Sequence, residues 1–158
     1  MQYQILKEPM TILDVQMSSG EKITAESGAT VYIKGDIEIK TRTCEGGLLK
    51  KLKVTALGSE SFIVNNYIAQ GDCSIGVTGP PLGDIVRPDI KPGSDFIVQS
   101  GSYVASTQGV LLDTKWQGFT KGLFGSEFFM LKAMGQGDLF FNAYGGIMHK
   151  QLAASERI

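Results

Sequence analysis

The hydrophobic and polar residues near the start of the chain alternate in short runs that are separated by turns. Residues 2–6 and 10–17 have the pattern of strands, and in the second run Leu13, Val15 and Met17 alternate with polar side chains. A period of two puts these three side chains on one face of a strand. Because turn residues follow within a few positions, no helix of ordinary length fits between the runs, and the pattern predicts a β meander.

The second half of the chain repeats motifs of the first half. Gly-Ser-Glu at 58–60 recurs at 125–127, and Gln-Gly-Asp at 70–72 recurs at 136–138. The separation is 73 residues over the first strands of each half, 67 at the first motif and 66 at the second. A duplicated fold tolerates changes of length that are confined to connections, so we interpret the chain as two copies of one β unit.

The boundary between the two copies is predicted at residues 80–83, because paired prolines suit neither a helix nor a central strand. This division gives a first β unit at 1–82, a second at 83–146, and a tail at 147–158 that resembles the start of a third unit. We predict an all-β protein in which two repeated units form a double-stranded β-helix or β-sandwich. The middle connection at 46–53 has a composition that also allows a short helix.

Two connections combine large apolar side chains with lysines, and both directly precede Gly-Ser-Glu. The apolar residues are Leu48, Leu49, Leu52, Trp116, Phe119, Leu123 and Phe124. The lysines are Lys50, Lys51, Lys53 and Lys121. If both connections project from one end, they form an apolar patch with a basic rim that suits a protein partner or a membrane surface. If they fold back instead, they close the ends of the sandwich.

The charge and composition of the chain narrow the classes of partner. Lys and Arg number 15 against 16 Asp and Glu, so no overall positive field attracts nucleic acid, although the lysine rim with Trp116 and Phe119 offers phosphate contacts and stacking to RNA. Cys44 and Cys73 lie in no metal-binding spacing, which favours a reduced pair and a cytoplasmic location. We expect neither a signal peptide nor a spanning helix.

The candidate catalytic residues are few. His149 is the only histidine, and no G-x-S-x-G nucleophile elbow accompanies it. Glu60 and Glu127 would be related by the repeat and offer an acid–base pair, but each also suits a hydrogen bond within its own turn. Asp72 and Asp138 are predicted turn residues, and the calcium-loop spacing is missing. We therefore predict a protein that is not an enzyme and that uses no metal or cofactor.

Several motifs occur in an order that resembles a known family. They are Leu-Phe-Gly-Ser-Glu at 123–127, Gln-Gly-Asp-Leu-Phe-Phe at 136–141 and Tyr144-Gly145, preceded by an apolar opening strand and a Ser-Gly turn. Over residues 10–150 the chain resembles the altered-inheritance-of-mitochondria family. The resemblance implies a fold similar to the tryptophan RNA-binding attenuation protein and no established enzymatic activity. A mitochondrial relative implicated in inner-membrane organisation implies a scaffold role.

Members of that family usually continue through a third β unit, and this chain stops about where the third unit would start. An open end of this kind leaves strand edges that need cover, and self-association is the simplest cover. We therefore predict a non-catalytic binding or scaffolding protein that forms a homo-oligomer. The alternatives are a cupin-like small-molecule-binding or enzymatic barrel, which the single histidine argues against, and an RNA-binding module.

Overall fold

A computed structural model describes residues 1–6, 10–43, 62–80, 82–113 and 130–157. Within these ranges the ordered backbone is extended, apart from one turn of 3-10 helix at Ser100–Ser102, and no α-helix is present. In chain order the strands are β1 (Gln2–Leu6), β2 (Ile12–Met17), β3 (Lys22–Glu26), β4 (Thr30–Lys34), β5 (Ile37–Thr43), β6 (Ile63–Ala69), β7 (Cys73–Val77), β8 (Ile85–Val86), β9 (Asp89–Ile90), β10 (Phe96–Gln99), β11 (Tyr103–Thr107), β12 (Val110–Asp113), β13 (Met130–Gly135) and β14 (Gly137–Asn142). The predicted all-β class is confirmed. The helix considered at 46–53 lies outside the described residues.

The alternation that predicted strands near the start of the chain has its expected effect in β2. Leu13, Val15 and Met17 are buried on one face, because the period of two sends the intervening polar side chains to the other face. The turn into β3 passes through Gly20 at a φ of 85°, a left-handed conformation that glycine adopts without steric cost. The local sequence therefore accounts for both the strand and its end.

The strands form antiparallel sheets in which the two halves of the chain are joined. One four-stranded sheet has the order β1-β2-β7-β4, and a three-stranded sheet has the order β10-β13-β12. The largest sheet runs β5-β6-β3-β11-β14-β8, with β9 also paired to β14. In its centre β3 from the first half pairs with β11 from the second half. The halves therefore share one continuous hydrogen-bonded ladder.

The strand pairs of the first half have counterparts in the second half. β7 lies between β2 and β4, as β14 lies between β8 and β11, and β6 lies between β3 and β5, as β13 lies between β10 and β12. The pairing of β4 shifts register between Thr30 and Tyr32, and that of β11 shifts between Tyr103 and Ala105. The counterpart of β2 is divided into β8 and β9, with Pro88, which has no N–H to donate, between them.

The hydrogen-bonded register corrects the alignment of the last hairpin. Leu13 pairs with Val77 and Val86 pairs with Phe141, so these hairpin strands correspond at a separation of 64 residues instead of 66. The reason is the turn length. Three residues join β6 to β7, whereas Gln136 alone joins β13 to β14. The boundaries of the two predicted units stay a prediction.

Asp138 was predicted to be a turn residue, and that prediction is wrong. It lies in β14, because the shorter second hairpin moves its Gln-Gly-Asp motif into the strand. Asp72 does lie in the turn between β6 and β7. The same three letters therefore occupy different structural positions in the two halves.

Two hydrophobic clusters form the interior, and each contains residues from both halves. The first is built mainly on β2, β3 and β7 and includes Val104 and Phe140 from the second half. The second is built mainly on β10 to β14 and includes Val64 from the first half. Val64 and Leu131 are fully buried in this second cluster, as predicted, and Phe62 packs against it. Phe129, the fourth residue of that prediction, lies outside the described residues.

The predicted junction between the halves contains a tight backbone contact that can be tested by one methyl group. Gly83 forms a parallel bridge with Gly145, and a Cβ on Gly83 would lie 1.9 Å from the carbonyl oxygen of Ala143. Since the obstacle is backbone, Gly83→Ala should lower the free energy of unfolding by about 1–3 kcal/mol. Gly71→Ala is the control, because its Cβ would have no atom within 4 Å. Equal denaturant midpoints for the two variants would contradict this account.

Candidate functional site

Strand β4 presents apolar side chains on an unpaired edge. It pairs with β7 on one side and with no described strand on the other. Val31, Tyr32 and Ile33 are 52%, 40% and 41% exposed. Soluble proteins usually protect such edges with charges, prolines or a covering segment, because a bare apolar strand can pair with another chain. This edge is therefore a candidate contact surface.

The counterpart of β4 in the second half is covered. Strand β11 lies between β14 and β3, and its residues Val104, Ala105 and Ser106 are fully buried or nearly so. Two strands at matching positions thus differ in burial because only one of them has a neighbour on its second side.

Strand β10 is the second unpaired edge of this kind. It pairs with β13 only, whereas its counterpart β3 lies between β6 and β11. Ile97, at the centre of β10, is 41% exposed. We call the unpaired sides of β4 and β10 the open edges. They are the counterparts of the two strands that pair with each other at the β3–β11 junction.

The side chain of Tyr32 is held flat across the sheet beside the first open edge. Its ring lies over Gly76 of β7, where a Cβ would come within 2.2 Å of the ring. Its hydroxyl donates a hydrogen bond to Oδ1 of Asp14 on β2. This hydrogen bond, together with burial, raises the pKa of Tyr32, so the phenol stays protonated and the contact persists at neutral pH. The ring therefore leaves the hydrogen-bonding side of β4 uncovered.

A cluster of polar residues ties β1 to the second half of the chain. The hydroxyl of Tyr3 donates to Oδ2 of Asp138 at 2.8 Å, and Arg87 donates to the same hydroxyl while its guanidinium lies 4.9 Å from the ring centre. Tyr3 also meets Phe140 edge to face at 5.3 Å. Burial and the hydrogen bond to Asp138 raise the pKa of Tyr3. These contacts hold a strand in position and activate no nucleophile. Sequence reasoning missed them because the three polar residues are far apart in the chain.

A groove of about 700 Å³ lies at one end of the four-stranded sheet. Its lining residues are Met1, Gln2, Gln16, Met17, Ser18, Glu21, Lys34, Gly35, Asp72, Cys73 and Ser74. Burial, followed by the charges of Asp72, Asp36 and Glu21, raises the pKa of the Cys73 thiol. A protonated thiol is a weak nucleophile and a weak metal ligand, so the groove provides no activated cysteine. The Glu21 carboxylate is itself engaged by the Met1 ammonium group.

The residues that the sequence analysis proposed as a contact patch lie outside the described residues. These are Leu48, Leu49, Leu52, Trp116, Phe119, Leu123 and Phe124 with the lysines Lys50, Lys51, Lys53 and Lys121, and Glu60 and Glu127 also belong to this set. They stay predictions. His149 is exposed in the segment after β14. Within the described ranges, no group of three or more His, Cys, Asp and Glu side chains could hold a metal ion. That part of the chain also has no helix with the length and hydrophobicity needed to cross a membrane.

Glu26, at the end of β3, is the described carboxyl group in the least favourable environment. Its Oε2 atom is buried and has no hydrogen-bond partner among the described residues. Burial raises the pKa of this group, because the charged form loses its hydration without a compensating donor. The charged carboxylate therefore opposes folding at neutral pH.

Comparison with known proteins gives a family and a fold. A family model described as mitochondrial biogenesis AIM24 matches residues 3–158. The fold is similar to the crystal structure of protein SPYM3_0169 from Streptococcus pyogenes, with a TM-score of 0.68 and 17% sequence identity. The match covers 92% of this chain and 65% of that one, so this chain spans only part of the length of the Streptococcus protein. A search of curated protein sequences found no significant match.

The unfavourable position of Glu26 makes a pH-dependent prediction. Its folded pKa lies above the unfolded one, so its favourable contribution is complete at pH values below the unfolded pKa and is lost as the pH rises through the folded pKa. Glu26→Gln should therefore raise the melting temperature by about 1–2 °C at neutral pH. The difference from wild type should vanish below about pH 4, where both side chains are neutral.

The matched control for this experiment is Glu38→Gln, which removes an exposed carboxylate from β5. It should change the melting temperature little at any pH, because a surface ion pair contributes little. A gain for Glu26→Gln that is the same in acid and at neutral pH would exclude a titration effect, and a loss at neutral pH would show that the carboxylate is stabilising.

Proposed function

The chain belongs to the AIM24 family, and from this premise we propose that it is a non-catalytic binding or scaffolding protein that acts as a homo-oligomer. The description of the family names a process, mitochondrial biogenesis, and no reaction. A shared fold does not by itself carry a function, so the proposal is supported by the surface of the chain.

The observation that carries the proposal is the pair of open edges. Ile33 on β4 and Ile97 on β10 are large apolar side chains exposed on strands whose backbone groups lack a described neighbour on one side. Unpaired edges with apolar residues favour the addition of a further strand, since main-chain hydrogen bonds and apolar burial then act together. A protein that binds through strand edges requires no catalytic group.

The matched strand pairs of the two halves support a further part of the proposal. We infer that the chain is a duplicated β unit, divided between residues 1–82 and 83–146 and related to the fold of the tryptophan RNA-binding attenuation protein. The common register shift in β4 and β11 supports this relation. In such an arrangement each unit makes the same kind of contact with the next unit, so an unpaired unit edge is a natural binding surface.

The chemistry of the described polar groups agrees with a binding role. The thiol of Cys73 is buried, has a raised pKa and is not in a disulfide, which suits a reducing compartment such as the cytoplasm. A cupin-like metal barrel would need histidines and carboxylates directed inward. The described interior instead carries apolar side chains such as Leu13, Ile75 and Leu139. No specific observation favours RNA over protein as the partner.

The oligomeric state tests the proposal directly. In light scattering coupled to size-exclusion chromatography, the wild-type chain should have a mass at least twice its 17.1 kDa and should dissociate on dilution. The double variant Ile33→Lys/Ile97→Lys should have the monomer mass at the same concentration, because charges on both open edges oppose strand addition.

The control variant is Leu111→Lys on β12, which changes a more exposed leucine on a different edge and should retain the wild-type mass. Circular dichroism should give the same β signal for all three proteins. A wild-type chain that stays monomeric up to high micromolar concentration would overturn the proposed function.

A further inference from the structure

The junction between the two halves is a template for contacts made by the open edges. Strands β3 and β11 pair antiparallel, with Ala25 opposite Ala105, Thr24 opposite Ser106 and Ile23 opposite Thr107. Both alanines are completely buried. This ladder satisfies the backbone groups of both strands and removes their side chains from water.

The open edges correspond to the two sides of this junction. β11 uses one side for β14 and the other for β3, while its counterpart β4 uses the first side for β7 and leaves the second free. β3 uses one side for β6 and the other for β11, while its counterpart β10 uses the first side for β13 and leaves the second free. The free sides are thus the two sides that pair inside the chain.

We propose that β4 of one copy pairs antiparallel with β10 of a second copy, in the register of the β3–β11 junction. The inference rests on the proposed function, since it names the partner of the same open edges. The separation of 73 residues between matching strands gives the pairs. Tyr32 lies opposite Val98 of the partner subunit, and Ile33 lies opposite Ile97 of the partner subunit.

The side chains fit this register. Ile33 and Ile97 are each 41% exposed, and the register sets them directly opposite one another, where cross-strand neighbours pack. At the same position of the internal junction the pair is Thr24 and Ser106, both polar. The open edges therefore carry apolar residues where the internal junction carries hydroxyls, which favours burial of the open edges against a second chain.

A second copy is the occupant that the chain itself specifies. β4 and β10 are counterparts of strands that already pair with each other, so a molecule that carries both edges carries both halves of the contact. An unrelated partner would match only one of them. The contact is head to tail, because each copy contributes β4 at one interface and β10 at the other. Such association ends in a closed ring if the rotation between copies allows closure, and otherwise continues.

Disulfide trapping between singly substituted chains tests the register. In a background with Cys44→Ser and Cys73→Ala, one protein carries Ile33→Cys and the other carries Ile97→Cys. Directly opposite residues in an antiparallel pair lie about 4.5–5.5 Å apart at Cα, which a disulfide can bridge. After mixing and mild oxidation, the covalent heterodimer should form roughly ten-fold more than either homodimer, because pairing raises the local thiol concentration.

The matched control replaces the Ile97→Cys protein with one that carries Leu111→Cys. Leu111 is 64% exposed and lies on β12, at the opposite edge of the same three-stranded sheet, so its thiol is accessible without being in the contact. Equal labelling of all three thiols by a maleimide checks accessibility, and circular dichroism checks folding. This mixture should give only the background level of heterodimer.

The outcomes separate this inference from the proposed function. Selective trapping of Ile33→Cys with Ile97→Cys supports the pairing. Efficient homodimers of Ile33→Cys alone would mean that β4 pairs with β4, and equal trapping with Leu111→Cys would mean random collision, so either result overturns it. A wild-type oligomer without selective trapping overturns the register and leaves self-association standing. A wild-type monomer overturns both.

Discussion

The pairing of β3 with β11 is the interaction on which the rest of the structure depends. It joins strands from opposite halves of the chain in one ladder and brings Tyr103 over the seam, where its hydroxyl donates to the carbonyl oxygen of Thr24 at 3.1 Å. Because the two strands are adjacent, Ala25 and Ala105 enter the same hydrophobic cluster. Without this ladder each half would lose the neighbour that completes its interior, and neither cluster would be closed.

Side-chain hydrogen bonds reinforce the sheets from their polar faces. The hydroxyl of Thr24 donates to Oδ1 of Asn66 at 2.7 Å, across the β3–β6 pair, and that of Thr41 donates to Oδ1 of Asn65 at 2.7 Å. The cluster of Tyr3, Arg87 and Asp138 acts in the same way between β1 and β14. These polar groups are engaged with one another, which is the pattern of a structural protein surface rather than of an active centre.

The sequence was sufficient for the strands and for the class of fold, because alternation and turn residues are local signals. It was insufficient for the register of the last hairpin, since the repeated letters Gln-Gly-Asp suggested one alignment while the turn lengths impose another. Asp138 was misassigned for this reason. The role of Arg87 was invisible because its partners come from β1 and β14.

The open edges illustrate the limit of sequence reasoning most clearly. Val31 and Val104 are the same residue type at matching positions, yet one is 52% exposed and the other is completely buried. The difference arises entirely from whether a neighbouring strand is present on the second side. An open end was predicted, but no local pattern distinguishes β4 from β11 as the strand that stays uncovered. Burial of an edge is a property of the arrangement of strands, and it is decided by residues far away in the chain.

The distance along the chain between β3 and β11 also has a consequence for synthesis on the ribosome. After Glu26 has emerged, its strand waits for residues 103–107 before the ladder is complete. At about 5–20 residues per second this interval is roughly 4–16 seconds. During that time one side of β3 is bare in the nascent polypeptide. The charges of Lys22 and Glu26 at its two ends are the feature that discourages premature pairing with a neighbouring nascent chain.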